Sequence, residues 1–244
     1  MDKNIVYKIQ NEFRDSDKIA VGQLNQFLKK QLPNITDATI SWYIHQLYKE
    51  SVINRVGRGM YSLSDKLAFK PAISAKLIKL HRKVHKEFPF IKFCVSETSW
   101  LNSFMIHQQV RHRLIVEAEN DAVESVFYKI SETNKQVYLN PSAEIYELYI
   151  SDFESIIIKT LTSQSPLKTI DGIKIPELEK ILVDILSDVD LYAAQQDEKE
   201  YIYNEVYLRY NINMSKLIRY AKRRNRESQA RNLMSNISAL NNII

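Results

Sequence analysis

The sequence predicts an α+β fold with a substantial core, and three observations support this. The chain has 244 residues, of which 45% are apolar, so it is long enough to bury a core and form one to two domains. Apolar residues recur at helical spacing in the first fifty positions and again in the last third. Short β-rich runs alternate with helical segments in between, which is typical of a small mixed sheet.

The composition excludes several kinds of site. The four glycines are Gly22, Gly57, Gly59 and Gly172, which are too few and too scattered for the phosphate loop of a dinucleotide-binding or Walker motif. Cys94 is the single cysteine, so neither an intramolecular disulfide nor a cysteine-based zinc cluster can form, and a reducing, cytoplasmic location fits best. No window approaches the roughly 18 apolar residues of a membrane span. We expect no cofactor, no bound metal and no membrane partner.

The net charge of +5 is distributed unevenly. Residues 1–70, 71–113, 114–208 and 209–244 carry net charges of +4, +6, −12 and +7. Different surfaces are therefore expected to face partners of different charge. The densest cluster lies in the last block, where Lys222-Arg223-Arg224-Asn225-Arg226 has four cations in five positions.

Three amphipathic helices are predicted in the first fifty residues. Residues 15–17 (Asp-Ser-Asp) end the first helix, Pro33 ends the second, and Thr36 or Asp37 can cap the third. The residues predicted to face the core are Ile5, Ile9 and Phe13; then Leu24, Phe27 and Leu28; then Ile40, Ile44, Leu47 and Tyr48.

A β-hairpin is predicted directly after the third helix. The β-rich runs 51–56 and 60–63 are joined across Gly57-Arg58-Gly59, where both glycines are expected to supply the positive φ of a tight turn. Three helices and a two-stranded wing form the winged variant of the helix-turn-helix, whose third helix enters the major groove of DNA. We therefore predict that residues 1–68 form a winged-helix DNA-binding domain.

The outward face of the third helix and the wing supply the predicted DNA contacts. The helix offers hydroxyl, indole, imidazole, amide and ammonium groups, several of which can hydrogen-bond base edges or phosphates, and no acid follows them until Glu50. Trp42 could instead be a packing residue, and the two wing arginines could be solvated without contacting DNA. A domain of this kind can also bind only protein, and that alternative stays open. The predicted DNA-binding residues are Thr39, Ser41, Trp42, His45, Gln46, Lys49, Arg55 and Arg58.

Residues 69–244 are predicted to form a mixed α/β domain that ends in a helical bundle. Helices are predicted over 74–88, 96–109, 121–131, 176–186, 198–210, 214–225 and 228–240, and strands over 90–95, 114–116, 136–139 and 156–158. Pro176 stands at a predicted helix start, where its missing N–H costs nothing. The complete prediction is α+β: an N-terminal winged helix-turn-helix followed by a mixed α/β domain ending in a helical bundle.

No complete catalytic or metal-binding set is visible in this second domain. His81 and His85 are four residues apart on one helix, but two cations stand between them, so we interpret both as surface histidines. Glu117 and Glu119 alternate along a strand like the metal-binding carboxylates of nucleotidyltransferases and nucleases, yet the glycine-serine turn and the lysine that those sites need are missing. We predict no catalytic residue, and a DNA-targeted nuclease or nucleotidyltransferase that uses the two glutamates is the less favoured alternative.

Five short segments resemble the AbiEi-type antitoxins of type IV toxin-antitoxin systems. Thr39–Leu47 followed by Ile53–Leu63 is similar to the recognition helix and wing of that family. Pro176–Asp184, and Leu217–Arg223 with the Ala-Arg-Asn-Leu run at 230–233, are similar to its C-terminal region. The resemblance implies a DNA-binding antitoxin that represses its own operon and counteracts a cognate nucleotidyltransferase toxin, with residues 69–244 as the antitoxin domain. A homodimer on an inverted-repeat operator is compatible with it, and a plain winged-helix regulator with a sensing or oligomerisation domain is the alternative.

The basic helix near the C-terminus is a second candidate surface. Leu217, Ile218 and Ala221 form a narrow apolar stripe, and the cations are expected on the outside. Three partners for these cations remain open: operator DNA, an acidic surface of the toxin, and the acidic middle segment of the same chain. The cations are Lys216, Arg219, Lys222, Arg223 and Arg226.

Overall fold

A computed structural model describes residues 3–64, 66–150 and 153–241. The chain divides into two compact units, Met1–Phe69 with Leu208–Asn211 (unit 1) and Lys70–Tyr207 with Ile212–Ile244 (unit 2). Helices come first, sheets follow and a helical cluster closes the chain, which confirms the predicted α+β class. In the described ranges no helix combines the length and apolar character needed to cross a bilayer.

Unit 1 consists of three helices and a three-stranded antiparallel sheet of order β1-β3-β2. The elements are α1 (Lys3–Glu12), β1 (Ile19–Ala20), α2 (Val21–Gln31), α3 (Asp37–Lys49), β2 (Ile53–Gly57) and β3 (Met60–Leu63). Three helices closed by a β2–β3 hairpin are the arrangement of a winged helix. Strand β1 was not predicted, because two residues are too few to produce a periodic pattern.

The apolar stripes of the three helices converge on one core. Ile9, Leu24 and Leu47 are fully buried in it, and Ile53 of β2 closes it from the sheet. The start of α3 is set by Thr36, whose Oγ1 accepts a hydrogen bond from the Thr39 N–H at 3.3 Å. This cap and this core together fix which face of α3 points outward.

The wing turn uses one glycine in the left-handed region. Gly59 has φ of +69°, whereas Gly57 is not among the residues with positive φ, so the prediction that both glycines adopt positive φ is wrong for Gly57. The pairing register shifts between Arg55 and Gly57 instead, and this bulge bends the strand into the turn.

Gly59→Ala and Gly22→Ala are expected to change stability in opposite directions. At Gly59 an added Cβ would meet only Val21 Cγ1 at 3.7 Å, which is an ordinary contact. We therefore expect the free energy of unfolding to fall by about 1–2 kcal/mol because alanine disfavours the left-handed backbone at this position. At Gly22, in the first turn of α2, a Cβ would meet nothing within 4 Å, and we expect a gain of about 0.4–1 kcal/mol from the less flexible unfolded chain. Urea denaturation of both variants checks this, and shifts of the same sign would contradict it.

Unit 2 contains a four-stranded sheet, a separate hairpin and most of the helices. The strands are β4 (Phe93–Glu97), β5 (Arg113–Ala118), β6 (Val137–Leu139), β7 (Ser155–Thr160), β8 (Leu167–Ile170) and β9 (Ile173–Pro176). The helices are α4 (Ala75–Glu87), α5 (Val123–Ser131), α6 (Ala143–Ile145), α7 (Leu178–Ser187), α8 (Ala193–Gln196), α9 (Lys199–Arg209), α10 (Met214–Arg223) and α11 (Glu227–Asn241). The sheet order is β4-β5-β7-β6, in which β4 is antiparallel to β5 and the other pairs are parallel.

Several elements of unit 2 differ from their predictions. The strand predicted over 90–95 begins at Phe93, and Phe90 is 96% exposed. The helix predicted over 96–109 is a 3₁₀ helix over Thr98–Phe104. Pro176 ends strand β9 rather than starting a helix, because the β8–β9 hairpin, which was not predicted, occupies the residues before it. These differences arise because short apolar runs do not distinguish strand from helix and do not fix where an element begins.

The two histidines of α4 occupy different environments. His81 is buried and lies against the Phe93 ring, with 5.0 Å between ring centroids, so its interpretation as a surface histidine is wrong. His85 is exposed, one helical turn away. Burial, together with the nearby charges of His85 and Lys174, lowers the pKa of His81, so at neutral pH it packs as a neutral ring.

Candidate nucleic-acid interface

Helix α3 presents its predicted contact residues away from the core of unit 1. Five of the six are exposed and Gln46 is half-buried. The hydroxyls of Thr39 and Thr36 are 2.9 Å apart and share a hydrogen bond, so Thr39 also serves the helix cap. Ile40, Ile44 and Leu47 fill the opposite face and hold the helix against the core. The exposed residues are Thr39, Ser41, Trp42, His45 and Lys49.

Trp42 is a large apolar side chain on this otherwise polar surface. It is 52% exposed, and its ring meets the Tyr43 ring edge to face with 5.2 Å between centroids. The contact with Tyr43 restricts the indole, so less rotamer freedom would be lost on binding. An exposed aromatic ring beside hydrogen-bonding groups can contact the methyl group of thymine in a major groove.

The wing carries two arginines that form no ion pair in the described part of the chain. Arg55 is exposed on β2, and its Nε–H lies 3.4 Å from the carbonyl oxygen of Gly57. Arg58 is exposed at the tip of the turn. Exposed guanidinium groups on a rigid hairpin are suited to contact phosphates.

The basic helix α10 divides its cations between internal contacts and solvent. Lys216 forms an ion pair with Glu177, and Arg223 Nε donates to Ser163 Oγ at 2.8 Å. Arg226, which the sequence prediction included in this basic segment, lies after the end of α10, and its Nε donates to the carbonyl of Leu186 at 2.8 Å. Arg219 and Lys222 are exposed, with no such contact in the described ranges. Part of this helix is thus held by the acidic middle of the chain.

Sequence reasoning missed a buried layer of charged side chains between the four-stranded sheet and helices α7 and α10. Lys180 is 0% exposed, and its ammonium group donates to both carboxylate oxygens of Glu117, at 2.6 and 2.9 Å, and to Asp184. Arg224 bridges Asp184 at 3.4 Å and Asp188 at 2.9 Å. This charge layer consists of Glu117, Lys159, Lys180, Asp184, Asp188 and Arg224.

The charge layer is balanced, with three acids and three cations. Burial disfavours the Lys180 ammonium, but Asp184 and Glu117 outweigh burial and raise the pKa of Lys180. Burial also opposes ionisation of Asp188, but Lys159 and Arg224 hold the pKa of that carboxyl below its usual range. These shifts favour the charged forms of Lys180 and Asp188 at neutral pH, and the ion pairs of the layer connect the sheet to two helices.

Glu117 is engaged by Lys180 and is not paired with Glu119. Both oxygens of Glu117 accept hydrogen bonds, whereas Glu119 lies beyond the end of β5, and its N–H donates to the carbonyl of Lys92. A signal for this layer was present in the sequence: Lys180 and Asp184 are opposite charges four residues apart in a helix that is apolar at six of its ten positions. In the described ranges no group of three or more His, Cys, Asp or Glu side chains is arranged to hold a metal ion.

Comparison with known proteins identifies a family. No curated protein matches the chain. Residues 39–240 match a family described as DUF6577, a family of unknown function. This span includes most of α3, the wing and nearly all of unit 2, and it covers well over half of the 244 residues. The chain therefore belongs to the DUF6577 family.

Proposed function

We propose that this protein binds operator DNA through unit 1, with α3 in the major groove and the wing on the phosphate backbone. The observation that carries the proposal is the outward face of α3, where exposed hydrogen-bonding groups lie around Trp42, together with a wing whose two exposed arginines form no ion pair within the described ranges. A buried apolar face and a polar face on the same helix are what a recognition helix requires. No acid lies between Ala38 and Lys49 to repel phosphates.

We propose further that the protein is an antitoxin that represses its own operon and counteracts a nucleotidyltransferase toxin. This half rests on the resemblance to AbiEi-type antitoxins, and we do not propose an enzyme, because Lys180 occupies both oxygens of Glu117. A cytoplasmic location and a homodimer on an inverted-repeat operator belong to the same proposal. The second candidate is a regulator whose unit 2 senses a small molecule, favoured by a cavity of about 220 Å³ where the parallel strands β6 and β7 end. Co-expression with the product of a neighbouring nucleotidyltransferase gene separates the two, because only the antitoxin restores growth.

Gln46→Ala and Arg58→Ala are expected to change DNA binding in different ways. An amide that reads a base edge contributes to sequence preference, so Gln46→Ala should lower discrimination between the protein's own promoter and a scrambled duplex by about 1–3 kcal/mol. A phosphate contact is insensitive to sequence, so Arg58→Ala should weaken binding to both duplexes equally. Fluorescence anisotropy with both duplexes at several salt concentrations measures this. Unchanged binding in both variants would show that α3 and the wing are not the DNA surface.

A further inference from the structure

Helix α4 of unit 2 presents a basic face that the proposed function does not use. Residues 71–86 contain five lysines and arginines and no acid. Lys79, Arg82 and Lys86 follow one another at spacings of three and four residues, on the side of the helix opposite its buried apolar stripe. All three are exposed, and none forms an ion pair within the described part of the chain. They make a row of positive charge about 10 Å long.

Two acids beside α4 are taken up by ion pairs on its flank. Glu87, at the end of the helix, pairs with Lys129 of α5 at 3.5 Å. Lys76 pairs with Glu154. Lys76 and Glu87 are eleven residues apart, which is about three helical turns, so both pairs lie on the same flank. The outward row is left without these acids and is available to an anion from outside.

An exposed aromatic ring follows the helix. Phe90 is 96% exposed and lies two residues beyond Phe88, the C-cap of α4. Pro89 restricts the backbone between them. On the other side of the ring, the carbonyl of Lys92 accepts a hydrogen bond from the Glu119 N–H at 2.9 Å. The ring is therefore held outward by a short loop that is fixed at both ends.

The position of Phe90 relative to the cations distinguishes it from other exposed apolar side chains. Single apolar side chains on a surface are ordinary. Phe90, however, is four residues from Lys86, so their Cα atoms are at most about 14 Å apart. Lys92 is also exposed and follows two residues later. This surface thus offers a flat apolar ring with cations before and after it along the chain.

We propose that α4 and Phe90 bind a single-stranded segment of RNA, with phosphates along the basic row and an unpaired base on the ring of Phe90. Sites for single strands combine a positive surface that follows the backbone with aromatic rings on which bases stack. A duplex keeps its bases stacked inside and would leave Phe90 without a contact, whereas RNA offers unpaired bases in its loops and ends. The proposal does not depend on DNA binding by unit 1.

Fluorescence anisotropy with the full chain and a labelled RNA of about 12 nucleotides that cannot pair with itself tests the basic row. We expect saturable binding. The triple variant Lys79→Ala, Arg82→Ala and Lys86→Ala should weaken it by about tenfold or more and make its salt slope shallower by about two units, because each phosphate contact on a single strand contributes about 0.7. The control variant removes the same three charges from other exposed positions of unit 2 and should bind as wild type. It carries Lys135→Ala, Arg219→Ala and Lys222→Ala.

Substitutions of Phe90 test the stacking contact separately. Phe90→Ala should weaken binding by about fivefold or more. The salt slope should stay that of wild type, because stacking releases no counterion. Phe90→Trp retains an aromatic ring and should keep wild-type affinity. Tyr201→Ala removes another exposed ring of unit 2 and should have no effect. Thermal melts of each variant show whether a loss of binding accompanies a loss of fold.

Single-stranded DNA and duplex DNA of the same sequence are compared with the RNA. The proposed contacts do not involve the 2′-hydroxyl, so single-stranded DNA should bind comparably, and binding of DNA without binding of RNA would overturn the assignment to RNA. The duplex is measured with the Arg55→Ala and Arg58→Ala variant, in which unit 1 is weakened and RNA binding should be unchanged. A duplex bound there as tightly as RNA would make the face a general polyanion surface and overturn the proposal.

The remaining outcomes also overturn it. No saturable binding of RNA, or equal losses in the triple variant and its control, would remove the basic row as an RNA surface. Wild-type affinity in Phe90→Ala would show that no base stacks on the ring. Binding of vesicles of anionic phospholipid that requires Phe90, in a protein that does not bind the RNA, would make the same face a membrane surface.

Discussion

Lys180→Met is expected to lower the free energy of unfolding by about 3–5 kcal/mol, the largest effect of any single substitution considered. Lys180 is the centre of the charge layer, and its removal takes the ion-pair partner from the buried Glu117 and leaves the buried Asp184 with Arg224 at 3.4 Å as its cation. Methionine fills nearly the same space, so the loss comes from the unpaired charges and not from a cavity. Urea denaturation followed by circular dichroism measures it.

Lys76→Met is the matched control for this prediction. Lys76 also pairs with one carboxylate, Glu154, but both side chains are largely exposed, and we expect a loss of less than about 1 kcal/mol. Adding Glu117→Gln and Asp184→Asn to Lys180→Met removes the stranded charges and should recover part of the stability. Equal losses in Lys180→Met and Lys76→Met would show that the charge layer does not stabilise unit 2.

The double substitution Arg55→Ala and Arg58→Ala is expected to weaken binding to DNA of every sequence. The slope of the logarithm of the binding constant against the logarithm of the salt concentration should become shallower by about two units. Each arginine that contacts a phosphate releases about one counterion, which contributes about 0.9 to the slope. Both side chains are exposed and have no ion pair in the described parts of the chain, so their loss should leave the fold of unit 1 intact. Anisotropy titrations between about 50 and 200 mM salt give the slope.

Arg219→Ala with Lys222→Ala is the charge-matched control, because it removes the same two charges from exposed positions on α10. A change in net charge alone would affect both double variants equally. We expect the salt slope of the α10 variant to remain that of wild type. An equal decrease in both would contradict the assignment of the wing as the principal phosphate-binding surface.

Much of unit 1 was determined by the sequence alone, because its signals are local. The stripes through Ile9, Leu24 and Leu47 specified three helices and the direction in which each faces the core. Thr36 or Asp37 marked the start of α3 and the two wing glycines marked its turn, and the structure assigns the cap to Thr36 and the positive φ to Gly59. The period of the helix placed Trp42 on the outward face of α3, but only the structure shows that its ring is half exposed and lies against Tyr43.

The sequence alone predicted fewer of the elements of unit 2. The strands around Ile115 and Ile157 were visible as apolar runs, but the hairpin before α7 and the burial of His81 were not. Short apolar runs carry no information about register, and only the register aligns Glu117 with Cys94 on one side and Lys159 on the other.

Two features were decided by tertiary structure alone. Lys180 and Asp184 stand four residues apart, but Glu117 is 63 residues from Lys180 along the chain, and only the packing of α7 on the sheet makes the buried ion pair. Nothing in the sequence marks Arg113, yet the fold buries its Nε–H next to the strand of Ser155 without a hydrogen-bond partner among the described residues. Periodicity is a property of neighbouring residues and predicts which side of an element is buried. The partner that a buried charge meets depends on which distant segments cross it, and that is settled only when the chain has folded.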